Sequence, residues 1–388
     1  MIHRILYIGS ALLIACMLNI DTQLSPAGMR EMNRNVRTYR SGLLREKSLP
    51  SKDYLVGAIR WDAWTGDADP IGRAVARHLS PEKWHYRLPF FATVHSSDSV
   101  SINGLSQEIM DREIRYAAGA LDYWAIMYYG GKMGTARELY LSSNVREKVN
   151  FCLIIESTRM MFQWAGFHDA LSRSLDEPSY QTVLDHRPLI YLFRPIDAVE
   201  RGAADWKQLN EKLRAMRDLS GEKGYSAPYF VVMDYSKDRI DSAMAHLAAD
   251  AVSCYAVYSN RPDESFPELA GFAERRWEEY TATGYRIVPF LSAGWDPRPR
   301  WNVTPPWGYY DYGPNWTRTA TPEEIAEHLA RACRWIENHP DKAPSRAVII
   351  YAWNEHDEGG WLCPTLNQKG RADDSRLRSM EKIRSKIH

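Results

Sequence analysis

Residues 346–360 read RAVIIYAWNEHDEGG: an apolar run of strand length breaks directly into a turn that carries Asn354, Glu355, His356, Asp357, Glu358 and two glycines. A run of about four to eight apolar residues that stops at polar side chains and glycine is the pattern of a parallel strand covered on both faces. Seven more runs of this kind precede it. They are YLVGAIRWDAW (54–64), ALDYWAIMYY (120–129), NFCLIIES (150–157), RPLIYLFRP (187–195), PYFVVMDY (228–235), AVSCYAVYS (251–259) and YRIVPFLSAGWD (285–296), with RAVIIYAWNE (346–355) as the eighth. Amphipathic stretches separate them, among them MDREIRYAAG, TARELYLSSNVREKV, ADWKQLNEKLRAMRDLS and FPELAGFAERRWEEYTATG. Before the eighth run, Thr321-Pro322-Glu323-Glu324 supplies an N-cap, a proline at the first helical position and acids in the first turn. Eight strands alternating with helices predict an α/β chain folded as a (β/α)8 TIM barrel. No GxGxxG follows the first run, which counts against a dinucleotide fold.

Polar residues gather where these strands end. Arg60, Asp62 and Trp64 close the first, Glu156 the third, Arg194 the fourth, Asp234 the fifth, Trp295 and Asp296 the seventh, and Asn354 and Glu355 the eighth. Strand C-termini of a barrel share one mouth, so residues scattered along the chain converge there. Arg60, Asp62, Trp64, Glu156, Asp234, Trp295, Asp296 and Asn354 are therefore expected to bind substrate, with His95 of ATVHSSDS as a loop candidate. Each could instead serve a structural ion pair or core contact. Glu355 and Glu358 are the expected catalytic pair. Glycosidic cleavage needs one protonated carboxyl group for the leaving oxygen and one ionised group, and two acids on one turn can be split into those roles by unequal burial and mutual repulsion.

WNEHDEG, the upstream GWDPRPRW (294–301) and the first-strand RWDAW together resemble glycoside hydrolase family 99 and the WbsX-like superfamily, whose strand-eight motif has the form NEWxEG and whose strand-seven motif is close to GWDNTPR. The resemblance spans roughly residues 54–365. It implies a retaining, endo-α-mannosidase type of chemistry with no metal at the reaction centre and no cofactor. There the glutamate matching Glu355 takes the proton of the substrate 2-hydroxyl, which attacks its own anomeric carbon to give a 1,2-anhydro sugar. The glutamate matching Glu358 acts as acid and then as base toward water. Asn354 would orient a carboxylate or sugar hydroxyl, with Trp295 and Asp296 lining the same subsite. This chain departs from the motif at His356-Asp357, which adds an acid between the pair, and at Arg298, where relatives have Thr or Asn. An arginine in the mouth could bind an acidic sugar.

Lys plus Arg equal Asp plus Glu at 49 each, which leaves no field to attract nucleic acid. The 14 Trp and 22 Tyr suit a carbohydrate, whose ring faces pack on aromatic side chains. Cys152, Cys254, Cys333 and Cys363 form no CxxC or Cys/His pattern, so no zinc site is expected. The N-terminus pairs basic residues with a short apolar run ending in Leu13-Ile14-Ala15-Cys16, which resembles the lipobox of bacterial lipoproteins. The expected organisation is a signal peptide with lipobox at 1–20, lipidated on Cys16, a flexible tether at 21–52 and a glycoside hydrolase-like barrel at 53–388. The expected location is periplasmic or on the outer-membrane surface, with a membrane contact through the N-terminal lipid anchor. An exported hydrolase of an α-linked glycan or polysaccharide is the leading reading. A WbsX-like glycosyltransferase or polysaccharide-modifying enzyme, and a non-catalytic glycan-binding lipoprotein, stand as alternatives.

Overall fold

Eight parallel strands follow one another around a ring in chain order. They are β1 Leu55–Arg60, β2 Tyr123–Tyr128, β3 Asn150–Glu156, β4 Arg187–Phe193, β5 Tyr229–Asp234, β6 Ala251–Cys254, β7 Phe290–Ser292 and β8 Ala347–Tyr351. The computed structural model describes residues 54–128, 134–163, 165–301, 303, 305–306 and 313–387. The expected signal peptide 1–20 with Cys16, and the tether 21–52, lie outside the described residues.

β8 pairs with β1 in the register Leu55 with Ala347 and with β7 in the register Phe290 with Ile349, so first and last strands meet side by side. Between β6 and β7 the ladder is reduced to a parallel bridge, Val252 with Ile287, with Val252 N donating to the Arg286 carbonyl at 2.9 Å and Val288 N to the Val252 carbonyl at 3.0 Å. Pro289, whose carbonyl accepts from Ile349 N at 3.0 Å and so faces β8, shortens β7 on that side. It has no N–H to offer there, so the expected seventh strand is split into a bridging residue before it and the short β7 after it.

The helices outside are α1 Pro70–Leu79, α2 Gln107–Ala117, α3 Thr135–Ser142, α4 Phe167–Leu175, α5 Pro195–Glu200, α6 Trp206–Glu222, α7 Lys237–His246, α8 Phe266–Ala282, α9 Pro322–Asn338 and α10 Ser375–Ile387. α9 starts where Thr321 was expected to cap it: Thr321 Oγ1 accepts from Glu324 N at 3.2 Å, and Glu324 answers by accepting from Thr321 N at 2.8 Å. α1, α4, α5, α7 and α10 were not foreseen. Every residue of β1, β2, β5 and β8 is buried, which is why these strands read as unbroken apolar runs. Among the described residues no helix is long and apolar enough to cross a membrane.

Candidate active site

The turn after β8 is fixed on both sides before any acid is considered. Trp353 N donates to the Ile59 carbonyl at 2.7 Å, and Asn354 clamps Trp61 by accepting from its N–H at 2.9 Å and donating to its carbonyl at 2.5 Å. Asn354–Glu355 and Gly360–Trp361 form a short antiparallel ladder around a single 3-10 turn, His356–Glu358. Gly359 closes that turn at φ +84°, the left-handed region, and a Cβ there would sit 2.5 Å from Asp296 N. Asp296 N donates to the Glu358 carbonyl at 2.6 Å. The loops after β7 and β8 therefore touch backbone to backbone, which only glycine permits.

Three buried carboxylates, those of Glu355, Asp357 and Glu358, converge on one buried guanidinium, Arg300. Arg300 holds Asp357 at two points, Nε at 2.7 Å and Nη2 at 2.9 Å. It reaches Glu355 through Nη2 at 3.3 Å and Glu358 through Nη1. Tyr255 donates to Glu355 at 3.3 Å, and the Tyr351 hydroxyl donates to the second oxygen of Glu358. His78, buried on α1, binds Asp357 at 2.7 Å, and its other ring nitrogen meets the Val303 carbonyl at 3.0 Å. Burial first, and Glu358 beside it second, push the Glu355 carboxyl well above its ordinary range against the pull of Arg300. Burial pushes Asp357 up as well, but Arg300 and His78 outweigh it and hold Asp357 below the ordinary carboxylate value. One turn thus carries acids of opposite tendency.

His356 points the other way. Its Nδ1 lies against the Arg87 carbonyl and its ring packs edge-on to Trp64 at 5.2 Å and against Trp361 at 5.7 Å. Burial lowers its pKa to about 3. The unfolded chain binds that proton near 6.5, so stability from neutral His356 is complete above that value and is lost as pH falls toward about 3. Urea unfolding should show the wild type losing about 2 kcal/mol more than His356→Phe between pH 6.5 and pH 5. Equal slopes for the two proteins would contradict a neutral buried ring.

Of the residues expected to bind substrate, Trp295, Asp296, Asn354 and Trp64 surround this turn. Trp295 lies 4.3 Å from Tyr258 and 6.0 Å from Tyr351 between ring centroids. Asp296 is gripped by Arg87 and, at 2.8 Å through both Nε and Nη2, by Arg298. Arg60 and Asp62 are drawn elsewhere: Arg60 spans Glu113 of α2 at 3.0 and 3.1 Å and Asp62 at 2.8 Å, in a fully buried network. Asp234 is likewise taken by Arg239 of α7 at 3.0 Å. His95 sits on the exposed hairpin Thr93–Ser96/Ser99–Ser101 and binds Ser101 at 2.8 Å. Glu156, half-buried, accepts from Thr158 N at 3.4 Å.

Arg300, Tyr255, Tyr351 and His78 were not singled out by sequence. Arg300 closes the quoted GWDPRPR string, and the tyrosines lie in the quoted sixth and eighth runs, so the strings held the signal although the individual residues did not. Past the carboxylates, Tyr255, Tyr258 and Tyr235 continue an aromatic wall, with Tyr235 and Tyr258 stacked at 5.5 Å. Tyr258 and Trp301 remain 41% and 44% exposed. Among the described residues no group of three or more His, Cys, Asp or Glu is placed to hold a metal ion.

No protein-family description matches the chain, and no curated protein matches its sequence. Solved structures do match. The GH99 endo-alpha-mannosidase from Bacteroides thetaiotaomicron, in complex with BIS-TRIS-Propane, is similar over 88% of this chain and 98% of that one, at TM-score 0.54 and 14% identity. A second structure of the same enzyme gives TM-score 0.50 over the same shares of both chains, again at 14% identity. The chain has a glycosidase-like (β/α)8 fold similar to that of GH99 enzymes.

Proposed function

We propose that this protein is a glycoside hydrolase that cleaves an α-linked glycan with retention of configuration. The observation that carries the reading is the meeting of Glu355 and Glu358 at the end of β8, both buried, linked through Arg300 and faced by Tyr255 and Tyr351. Glu355 takes the proton of the 2-hydroxyl, O2 bonds to the anomeric carbon as the bond to the leaving oxygen breaks, and Glu358 gives that oxygen its proton. Water, losing a proton to Glu358, then opens the anhydro ring while O2 recovers its proton from Glu355. The pair begins with one proton and ends with one. Tyr258, Trp295 and Trp301 supply ring faces for the sugar. The same reading has the protein exported and held at a membrane through Cys16.

The grip of Arg300 on both glutamates favours a second reading, a glycan-binding barrel without turnover, because a cation on each carboxylate opposes the protonated form that an acid needs. Incubation of the full chain with a panel of α-linked glycans, followed by proton NMR of newly formed reducing ends, separates the two. Product appearing first as the α anomer is expected. Product of inverted configuration would overturn the retaining route, and saturable binding across the panel with no new reducing end would overturn the hydrolase.

A further inference from the structure

The proposed reaction uses two carboxylates, yet the turn buries three. Asp357 is the one with no proton to give or take in that chemistry, and it meets two donors of Arg300, at 2.7 and 2.9 Å, where Glu355 is met at 3.3 Å and Glu358 through Nη1. A guanidinium presents its donors in a rigid planar fork, so a two-point grip fixes both its place and its plane. His78 steadies Asp357 from the side of α1, pinned in turn by the Val303 carbonyl.

We propose that Asp357 is a positioning residue that seats the Arg300 guanidinium and takes up its charge, so that Glu355 and Glu358 keep one proton between them in the resting protein. The purpose of that proton rests on the hydrolase reading, but its presence does not. Without Asp357 the single positive charge is left to two glutamates, and each is then better satisfied ionised. With Asp357 the cation is already matched in charge, so two further ionised carboxylates against it are in excess, and sharing a proton relieves their repulsion.

The groups packed around the pair leave room for this balance. Tyr255 faces it from beyond β6, Tyr351 from β8 and Tyr235 from beyond β5, and burial raises the pKa of Tyr351 and Tyr235. His356 on the turn itself is held neutral. Arg87 and Arg298, the cations of the adjoining loop, are bound to Asp296, and Arg376 of α10 is spent on the carbonyls of Ala293, Trp361 and Ala320. Among the described residues, Asp357 and His78 on one side and Arg300 on the other are the charged or chargeable groups set against the two glutamates.

The test is a titration of the full chain labelled with carbon-13 at the glutamate δ position, the signals of residues 355 and 358 being assigned through Glu355→Gln and Glu358→Gln. In the wild type the pair should release its last proton above neutral pH. Asp357→Asn, nearly the same shape without the charge, should lower that midpoint and weaken proton binding about tenfold or more. Asp357→Ser provides the same reading should the Asn variant fail to fold, and near-UV circular dichroism checks that either keeps its packing. A purely structural Asp357 would leave the midpoint in place, and that result, or a wild type with both glutamates ionised at neutral pH, overturns the proposal. A downward shift in a protein that cleaves no glycan would sink the hydrolase and leave the role of Asp357 standing.

Discussion

Glu358→Gln lowers turnover of a natural α-linked substrate about a thousandfold, and Glu355→Gln does the same, with the fold of both variants intact. Glutamine keeps the size of the side chain and can still meet Tyr351 or Tyr255, so what it removes is the capacity to move a proton. The two losses should separate when the leaving group is changed. An aryl glycoside whose phenol leaves as an anion needs no proton in the first step, so Glu358→Gln should recover much of that step. Glu355→Gln should not, since the 2-hydroxyl must still be deprotonated. Comparing kcat/KM for both variants on both substrates provides the check. Wild-type rates in either variant, or an identical response of both to the leaving group, would break the assignment of roles.

The middles of the barrel strands were legible because burial on both faces forbids polar interruption, and that demand is local. The strand ends were not. Each expected strand ran on into residues whose conformation is set by partners far along the chain: the first to Trp64, where β1 stops at Arg60, and the eighth to Glu355, where β8 stops at Tyr351. The seventh shows the limit of apolar pattern, since its hydrophobicity is continuous while Pro289 shortens its ladder with β8. The acids of the site were visible as a string, but their electrostatic partner was not. Arg298 and Arg300 look equivalent in GWDPRPR, and the structure folds the first back onto Asp296 while sending the second to three acids some fifty-five residues onward. Nothing local distinguishes them; the contact of Gly359 with the backbone of Asp296, which joins the two loops, does.

Arg60 was expected in the mouth because it ends a strand, and its real assignment has a measurable cost. Its guanidinium is fully engaged with Glu113 and Asp62 and lies 4.7 Å over the Trp124 ring, while Trp353 Nε1 donates to the same Glu113 oxygen at 2.8 Å. Glu113→Leu should therefore destabilise the protein by about 3–5 kcal/mol, because it strands a buried cation and an indole N–H. Arg60→Met should cost a similar amount by stranding Glu113. Removing both should cost clearly less than the sum, since the expense of a buried pair lies in leaving one partner alone. Asp62 can adapt in the double variant: burial already pushes its pKa up, and without Arg60 it takes a proton rather than remain charged. Urea unfolding of the four proteins should give a coupling of at least about 2 kcal/mol, while KM for any glycan stays near the wild-type value in the double variant. Additive losses, or a large rise in KM with stability unchanged, would return Arg60 to the substrate, where its position at a strand end first placed it.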